Sequence, residues 1–242
     1  MGIQESRTRI AIVAALEREI RPLVRRWSAR EREYAGRRFR FFEENDAVAV
    51  CGGIGAEAGR WAAEAVIVLY DPKVITSVGF AGALSSKLKV GDVVQPERIV
   101  NAQDGSCVGV DGGSQVLVSF GSVASPEQKT KLRNSYGADA VDMEAAAVAR
   151  AAELRGVAFQ AVKVISDDAG FIFPAMEKFV DPQGRFLEWK FGVFAGVRPW
   201  LWPQVARLIR NSNLAAGVLC EHLRVSLMSA SDGRDLQMVD NS

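Results

Sequence analysis

Histidine is nearly absent: one residue, His222, occurs in 242, within the helical-looking segment AAGVLCEHLRVSL. A zinc centre built on several histidines is therefore excluded. A Ser-His-Asp triad is disfavoured too, because His222 reads as a helix-surface or packing residue, so proton transfer falls to Asp, Glu, Lys, Tyr or Cys. Cysteine is scarce as well. Cys51, Cys107 and Cys220 lie far apart with no CxxC spacing, which excludes a disulfide framework and fits a reducing cytoplasm. No apolar run reaches the roughly 18 residues of a membrane span. The opening MGIQESRTR lacks the apolar core of a signal peptide, and its loose match to a myristoylation pattern through Gly2 and Ser6 carries little weight. Excess charge of either sign is missing: Lys and Arg total 30 against 29 Asp and Glu, a net of +1. No overall field draws the chain to nucleic acid. The expected location is the cytoplasm.

What is present describes an ordinary globular core, with 48% hydrophobic and 24% charged residues. Apolar, β-branched runs at residues 10–14 (IAIVA), 74–78 (VITSV), 116–119, 140–141 and 159–166 (FQAVKVIS) predict strands. VVQPERIV after Gly91-Asp92 is a further candidate, and residues 38–43 and 47–50 read as a hairpin turning at 44–46. Helical periodicity follows the first strand from Leu16 to Trp27 and recurs at residues 56–70, 126–135, 144–155 and through most of 177–227. Strands mixed with helical crossovers predict an α/β fold, a mixed central sheet flanked by helices in three layers. With no repeat and no linker, one domain is expected over residues 1–228, followed by a polar tail at 229–242.

In such sheets ligands gather beyond the carboxyl ends of strands. Glu17 and Glu19 follow IAIVA; Gly52, Gly53 and Gly55 follow VAVC; Gly79 and Gly82 follow VITSV; Asp142 and Glu144 follow the strand at 140–141; and Ser166, Asp167 and Asp168 close VKVI. This order predicts acids along one rim of the sheet. Singly, each has a plainer reading. Glu144 meets a helix dipole, worth about 0.3–1 kcal/mol, Asp167 caps a helix or makes an Asx-turn, and Glu19 is a solvated charge. The convergence is what points to a site. GGIGAEAG, between strand and helix, has the spacing GxGxxxG rather than GxGxxG, and no acid ends a second strand about 20 residues on, so an NAD-linked enzyme has weak support.

The stretches IAIVAALEREI, CGGIGAEAG, VGFAGALSSKLKVGDVV, VDMEAAAVA and VKVISDDAG together resemble the purine nucleoside phosphorylase and nucleosidase superfamily, most closely the methylthioadenosine/S-adenosylhomocysteine nucleosidases. The resemblance covers roughly residues 9–170. The last third, with FVDPQGR and RPWLWP, is more similar to phosphorylase-like proteins associated with hopanoid synthesis. It implies a single-domain nucleoside phosphorylase-like fold that cleaves the N-glycosidic bond of a purine nucleoside. Asp167 matches the general acid for the base, oriented by Ser166, and Glu19 matches the group that activates water. Glu144 matches the grip on the ribose hydroxyls, with Met143 packed on the sugar and Val123 aligned loosely with a base contact. No metal or cofactor is implied, beyond phosphate as co-substrate for a phosphorylase. A homo-oligomer, most often a dimer, is also implied.

Departures from the pattern count as much. After Gly79, where the family carries a serine or threonine for water or phosphate, stands Phe80. The arginine of phosphorylases is missing ahead of it, where Thr76, Ser77 and Val78 stand. Both tilt the expectation toward hydrolysis, and Phe80 keeps open a nucleoside-binding protein that has lost catalysis. The stretch at 100–116 is short for the family, which implies a more open 5′ side suited to a bulky or lipid substituent, with FIFPAM at 171–176 as an apolar lip. RPWLWP, with Trp200 and Trp202, reads as subunit packing or as a peripheral membrane contact.

Overall fold

The computed structural model describes residues 10–173, 179, 181, 184 and 187–239, with 188, 189 and 230–239 described in backbone alone. The described residues begin with β1 (Ile10–Ala14) and α1 (Glu17–Val24), then an antiparallel meander of β2 (Ser28–Tyr34), β3 (Arg37–Glu44) and β4 (Ala47–Cys51). Next come α2 (Ala56–Tyr70) and the long β5 (Val74–Ala83). A second group holds β6 (Val93–Val94), β7 (Pro96–Asn101), β8 (Cys107–Gly109) and β9 (Gln115–Ser119). It is followed by α3 (Pro126–Tyr136), β10 (Ala140–Asp142), α4 (Ala145–Leu154), β11 (Ala158–Asp167), α5 (Glu188–Gly196) and α6 (Trp202–Val239).

One mixed sheet results. β4, β1, β5 and β11 run parallel, and β1 is buried on both faces, which is why IAIVA is uninterruptedly apolar. Its alternate residues feed two cores. Ala11 and Val13 pack with Val66 of α2 and Val148 of α4, while Ile12 and Ala14 pack with Ile20 of α1 and Leu219 of α6. These are the three layers expected. Among the described residues no helix is long and apolar enough to cross a membrane.

Several boundaries differ from the sequence reading. Helix α1 stops at Val24, before Trp27, and the chain turns into β2, whose SAREREY carries no apolar alternation. Opposite charges instead stand in register across the ladder, Glu31 opposite Arg40 and Glu33 opposite Arg38, and blunt an exposed edge. Strand β5 does not end at Val78 but continues through Gly79, Phe80, Ala81 and Gly82. α6 runs on to Val239, through most of the segment read as a polar tail. Residues 174–176 of FIFPAM lie outside the described residues.

The correction that matters most for the site concerns β10. It pairs antiparallel with β5, Ala140 opposite Ala83 and Val141 opposite Gly82, on the side that β1 leaves after Ser77. The carboxyl end of β10 therefore runs back toward the carboxyl end of β1. The acids do not line one rim; they converge over the middle of β5, where two strands meet end to end.

Candidate active site

A cavity of about 370 Å³ opens at that meeting point, within the range of small-ligand sites. Glu19, Phe80, Val123, Met143, Glu144, Ser166 and Asp167 all line it. Gly79 does not; it lies behind Glu19. A Cβ on Gly79 would stand 2.9 Å from Glu19 Oε2, and its φ of +136° is one that side chains rarely adopt, so only glycine lets the carboxylate lie against β5. His222 sits on α6 beside Gln95, away from the cavity.

Glu19 enters from the first turn of α1. Its Oε2 accepts from the N–H groups of Ala15 (3.2 Å) and Leu16 (3.1 Å), two of the donors a helix start leaves unpaired. Glu19 is buried, and burial raises its carboxyl above the ordinary range against the opposing pull of the Leu16 N–H, Lys163 and Arg18.

Glu144 precedes α4, yet it does not cap it. That work is done by neighbours: Asp142 Oδ2 accepts from the Ala145 N–H at 2.9 Å, and Ser119 Oγ accepts from Ala146 at 2.9 Å while donating to Asp142 Oδ1 at 2.6 Å. Glu144 is thereby released to reach across the cavity, where Oε1 accepts from the Gly55 N–H at 2.7 Å. The glycine loop GGIGAEAG, weighed above as a weak dinucleotide motif, thus presents its helix start to a carboxylate of the chain itself. Burial, reinforced by Asp142, pushes the Glu144 carboxyl up to about 7. Beneath it Lys163 Nζ meets Asp142 Oδ2 at 2.9 Å and donates to the Val78 carbonyl at 3.3 Å. Burial opposes the charge on Lys163, but Asp142, Glu144 and Glu19 around it hold its pKa above the usual lysine value.

Asp167 ends β11, and neither the helix-cap nor the Asx-turn reading describes it. Its Oδ1 accepts from Ser166 Oγ at 2.8 Å, and its Oδ2 accepts from Lys129 Nζ, which also donates to the Asp168 carbonyl at 2.6 Å. Burial raises the Asp167 carboxyl, with Lys129 and Ser166 pulling the other way. A Cβ on Gly82 would fall 2.8 Å from Asp167 Oδ2, so a bare backbone is required here too. Asp168 in turn pairs with Arg207 of α6.

Sequence reading missed Lys129, Lys163 and Arg18. Lys163 sits in an apolar strand, VKVIS, where a lone lysine is itself a signal. PEQKTKL, by contrast, gives no reason to choose Lys129 over Lys131, although one is buried and the other exposed. Of FIFPAM, Phe171 is buried in a small cluster with Phe191 and Leu208, Ile172 is exposed, and Phe173 lines the cavity beside Leu208. Residues 100–116, expected to be short and to leave the 5′ side open, form the edge ladder of β7, β8 and β9 and line none of the cavity.

The curated 5′-methylthioadenosine/S-adenosylhomocysteine nucleosidase of Staphylococcus aureus is 26% identical over 199 residues, spanning 65% of this chain and 86% of that protein. A Helicobacter pylori nucleosidase of the same name superposes with a TM-score of 0.70 at 18% identity, covering 93% of this chain and all of that one. The Neisseria meningitidis nucleosidase bound to methylthio-immucillin-A gives 0.66 at 19%, over 89% and 96%. Futalosine hydrolase of Helicobacter pylori gives 0.64 at 20%, over 88% and 96%. At these identities the structures speak for the fold, one mixed sheet between helices. The sequence itself matches the phosphorylase superfamily over residues 9–119 and 115–183, and the chain belongs to that superfamily.

Proposed function

We propose that this protein hydrolyses the N-glycosidic bond of an adenine nucleoside. The observation that carries the reading is the placement of Glu19, Glu144 and Asp167 around one cavity, each carboxyl raised by burial. Breaking the bond builds positive charge on the ribose and negative charge on the base. Asp167, aligned by Ser166, gives a proton to the departing base. Glu144 grips the ribose hydroxyls and stabilises the cation, with Met143 against the sugar, and Val123 touches the base. Glu19 takes the proton of the attacking water on the other side. These side chains perform each step without a cofactor.

Hydrolysis fits better than phosphorolysis. Beside Phe80, the position that would hold a nucleophile faces the Glu19 carboxylate lying on Gly79, which suits a neutral water and repels a phosphate dianion. Phe173 and Leu208 give the cavity an apolar side suited to a bulky or lipid 5′ group. The test is release of adenine from methylthioadenosine, adenosylhomocysteine and long-chain 5′-alkylthioadenosines, with and without phosphate. Turnover independent of phosphate is expected. No release from any of them by a folded preparation would end this reading and favour a binding protein.

Val193 of α5 and Val197 just after it are exposed, as are Trp200, Trp202 and Ile209, with Trp200 at 71%. Arg198 stacks on Phe194 among them. We propose that this apolar face is covered by a second copy of the chain in a homodimer. Sedimentation should give a dimer that ignores anionic phospholipid vesicles; a monomer that co-sediments with the vesicles would assign the face to a membrane surface instead.

A further inference from the structure

Among the described residues that line the cavity, Lys129 is the only buried cation, and the mechanism above leaves it without a role. It stands in the second turn of α3, a polar helix whose other buried residue is Leu132. An ammonium in so dry a place is costly unless paired. Its partners are Asp167 Oδ2 and the Asp168 carbonyl. Gly82 makes room for the pair, since a Cβ there would lie 3.2 Å from Lys129 Nζ.

Both oxygens of Asp167 accept hydrogen bonds, Oδ1 from Ser166 and Oδ2 from Lys129. The Lys129 ammonium favours the ionised form of Asp167, yet a general acid must carry a proton when the bond breaks. Of its two donors, only the Lys129 ammonium carries a cationic proton on a direct hydrogen bond to the carboxylate, so a single transfer along that bond protonates Asp167. We propose that Lys129 is a positioning residue that loads Asp167, passing it the proton that the base then takes. This rests on the hydrolytic reading above. As the bond between ribose C1′ and base N9 breaks, its electron pair stays with the base. The base takes a proton from Asp167, and Asp167 takes one from Lys129 Nζ, leaving a neutral amine. Water adds to C1′ and loses its proton to Glu19. Solvent protonates Lys129 and deprotonates Glu19, so the cycle consumes one water and releases a neutral base.

A plain structural role for the pair, tying α3 to the end of β11, makes different predictions. The experiment measures kcat and KM for adenine release from methylthioadenosine by wild type, Lys129→Met, Lys129→Arg, Asp167→Asn and the double variant Lys129→Met/Asp167→Asn, each checked for folding by circular dichroism. Lys129→Met is expected to lose about 10²-fold or more in kcat with KM within about threefold. Lys129→Arg, which keeps the charge but does not release its proton, should stay comparably slow. The double variant should be no slower than Asp167→Asn, because the two residues act as one unit. Lys129→Met near wild-type kcat, rescue by arginine, or losses that multiply in the double variant would each overturn the proposal. If Lys129→Met does not fold, the arginine variant decides alone. A wild type that releases no adenine defeats the hydrolytic reading; an active wild type with unaffected Lys129 variants defeats only this one.

Discussion

Asp167→Asn is expected to slow base release by roughly 10²–10⁴-fold, the usual contribution of a positioned general acid. The amide has the shape of the carboxyl and still accepts from Ser166, but it transfers no proton to the base. The same change reaches the fold. Asp167 is the buried partner of the Lys129 ammonium, and removing one member of such a pair costs about 3–5 kcal/mol because the other charge is left uncompensated. The variant should therefore melt earlier as well as turn over slowly. Adding Lys129→Met takes away the stranded charge and should return much of the thermal stability without returning activity. Steady-state kinetics beside thermal denaturation of the two variants separates these effects. Near-normal turnover in Asp167→Asn would remove Asp167 from the acid role.

Glu144→Gln is expected to divide activity from stability in the opposite sense. The carboxylate faces the developing ribose cation, and losing a charge so placed should lower kcat by ~10²–10³-fold. Stability moves the other way. The Glu144 carboxyl lies at about 7 in the folded protein against an ordinary 4.5, because burial and then Asp142 disfavour its ionisation. Between those two values the folded protein keeps a proton that the unfolded chain has released, so stability falls as pH rises from about 4.5 to about 7 and stays low above it. A shift of that size corresponds to at most on the order of 3 kcal/mol, and the partial exposure of Glu144 reduces what is realised. Glutamine keeps an oxygen for the Gly55 N–H and carries no charge to bury. The gap between denaturant midpoints measured at pH 5 and pH 8 should be narrower for the variant than for wild type, with Glu19 and Asp167 keeping part of the slope. An equally pH-sensitive variant would show that another group sets the slope.

The parts of this molecule legible in its sequence are those where one residue type has one physical use. β1 was legible because both its faces are buried, and α2 because a strand and a glycine turn precede its apolar face. Glu19, Glu144 and Asp167 were legible as candidates because each follows a strand. Their spatial relation was not. A strand of three residues, Ala140–Asp142, carries no mark of whether it pairs parallel or antiparallel, and that choice decides where Glu144 points. The glycines of β5 read as a turn because glycine usually makes turns; here they clear space for carboxylates within a strand. Lys129 was invisible for a related reason. A lysine in a polar helix looks solvated until tertiary packing brings Asp167 against it. The helix-dipole reading of Glu144 failed because Asp142 and Ser119 satisfy the start of α4 in its place.

The antiparallel placement of β10 also bears on the order in which the molecule assembles. Its site is stitched from distant stretches of chain: Gly55 and Glu144 are 89 positions apart, Lys163 and Val78 are 85, and Lys129 and Asp167 are 38. Such contacts close large loops, whose entropy must be lost before any contact rewards it, and they form late on the folding path. The β2–β3–β4 meander and the helices can appear early from local contacts. The cavity exists only once β10 has docked between β5 and β9, so a chain can regain most of its secondary structure while having no place to hold a nucleoside.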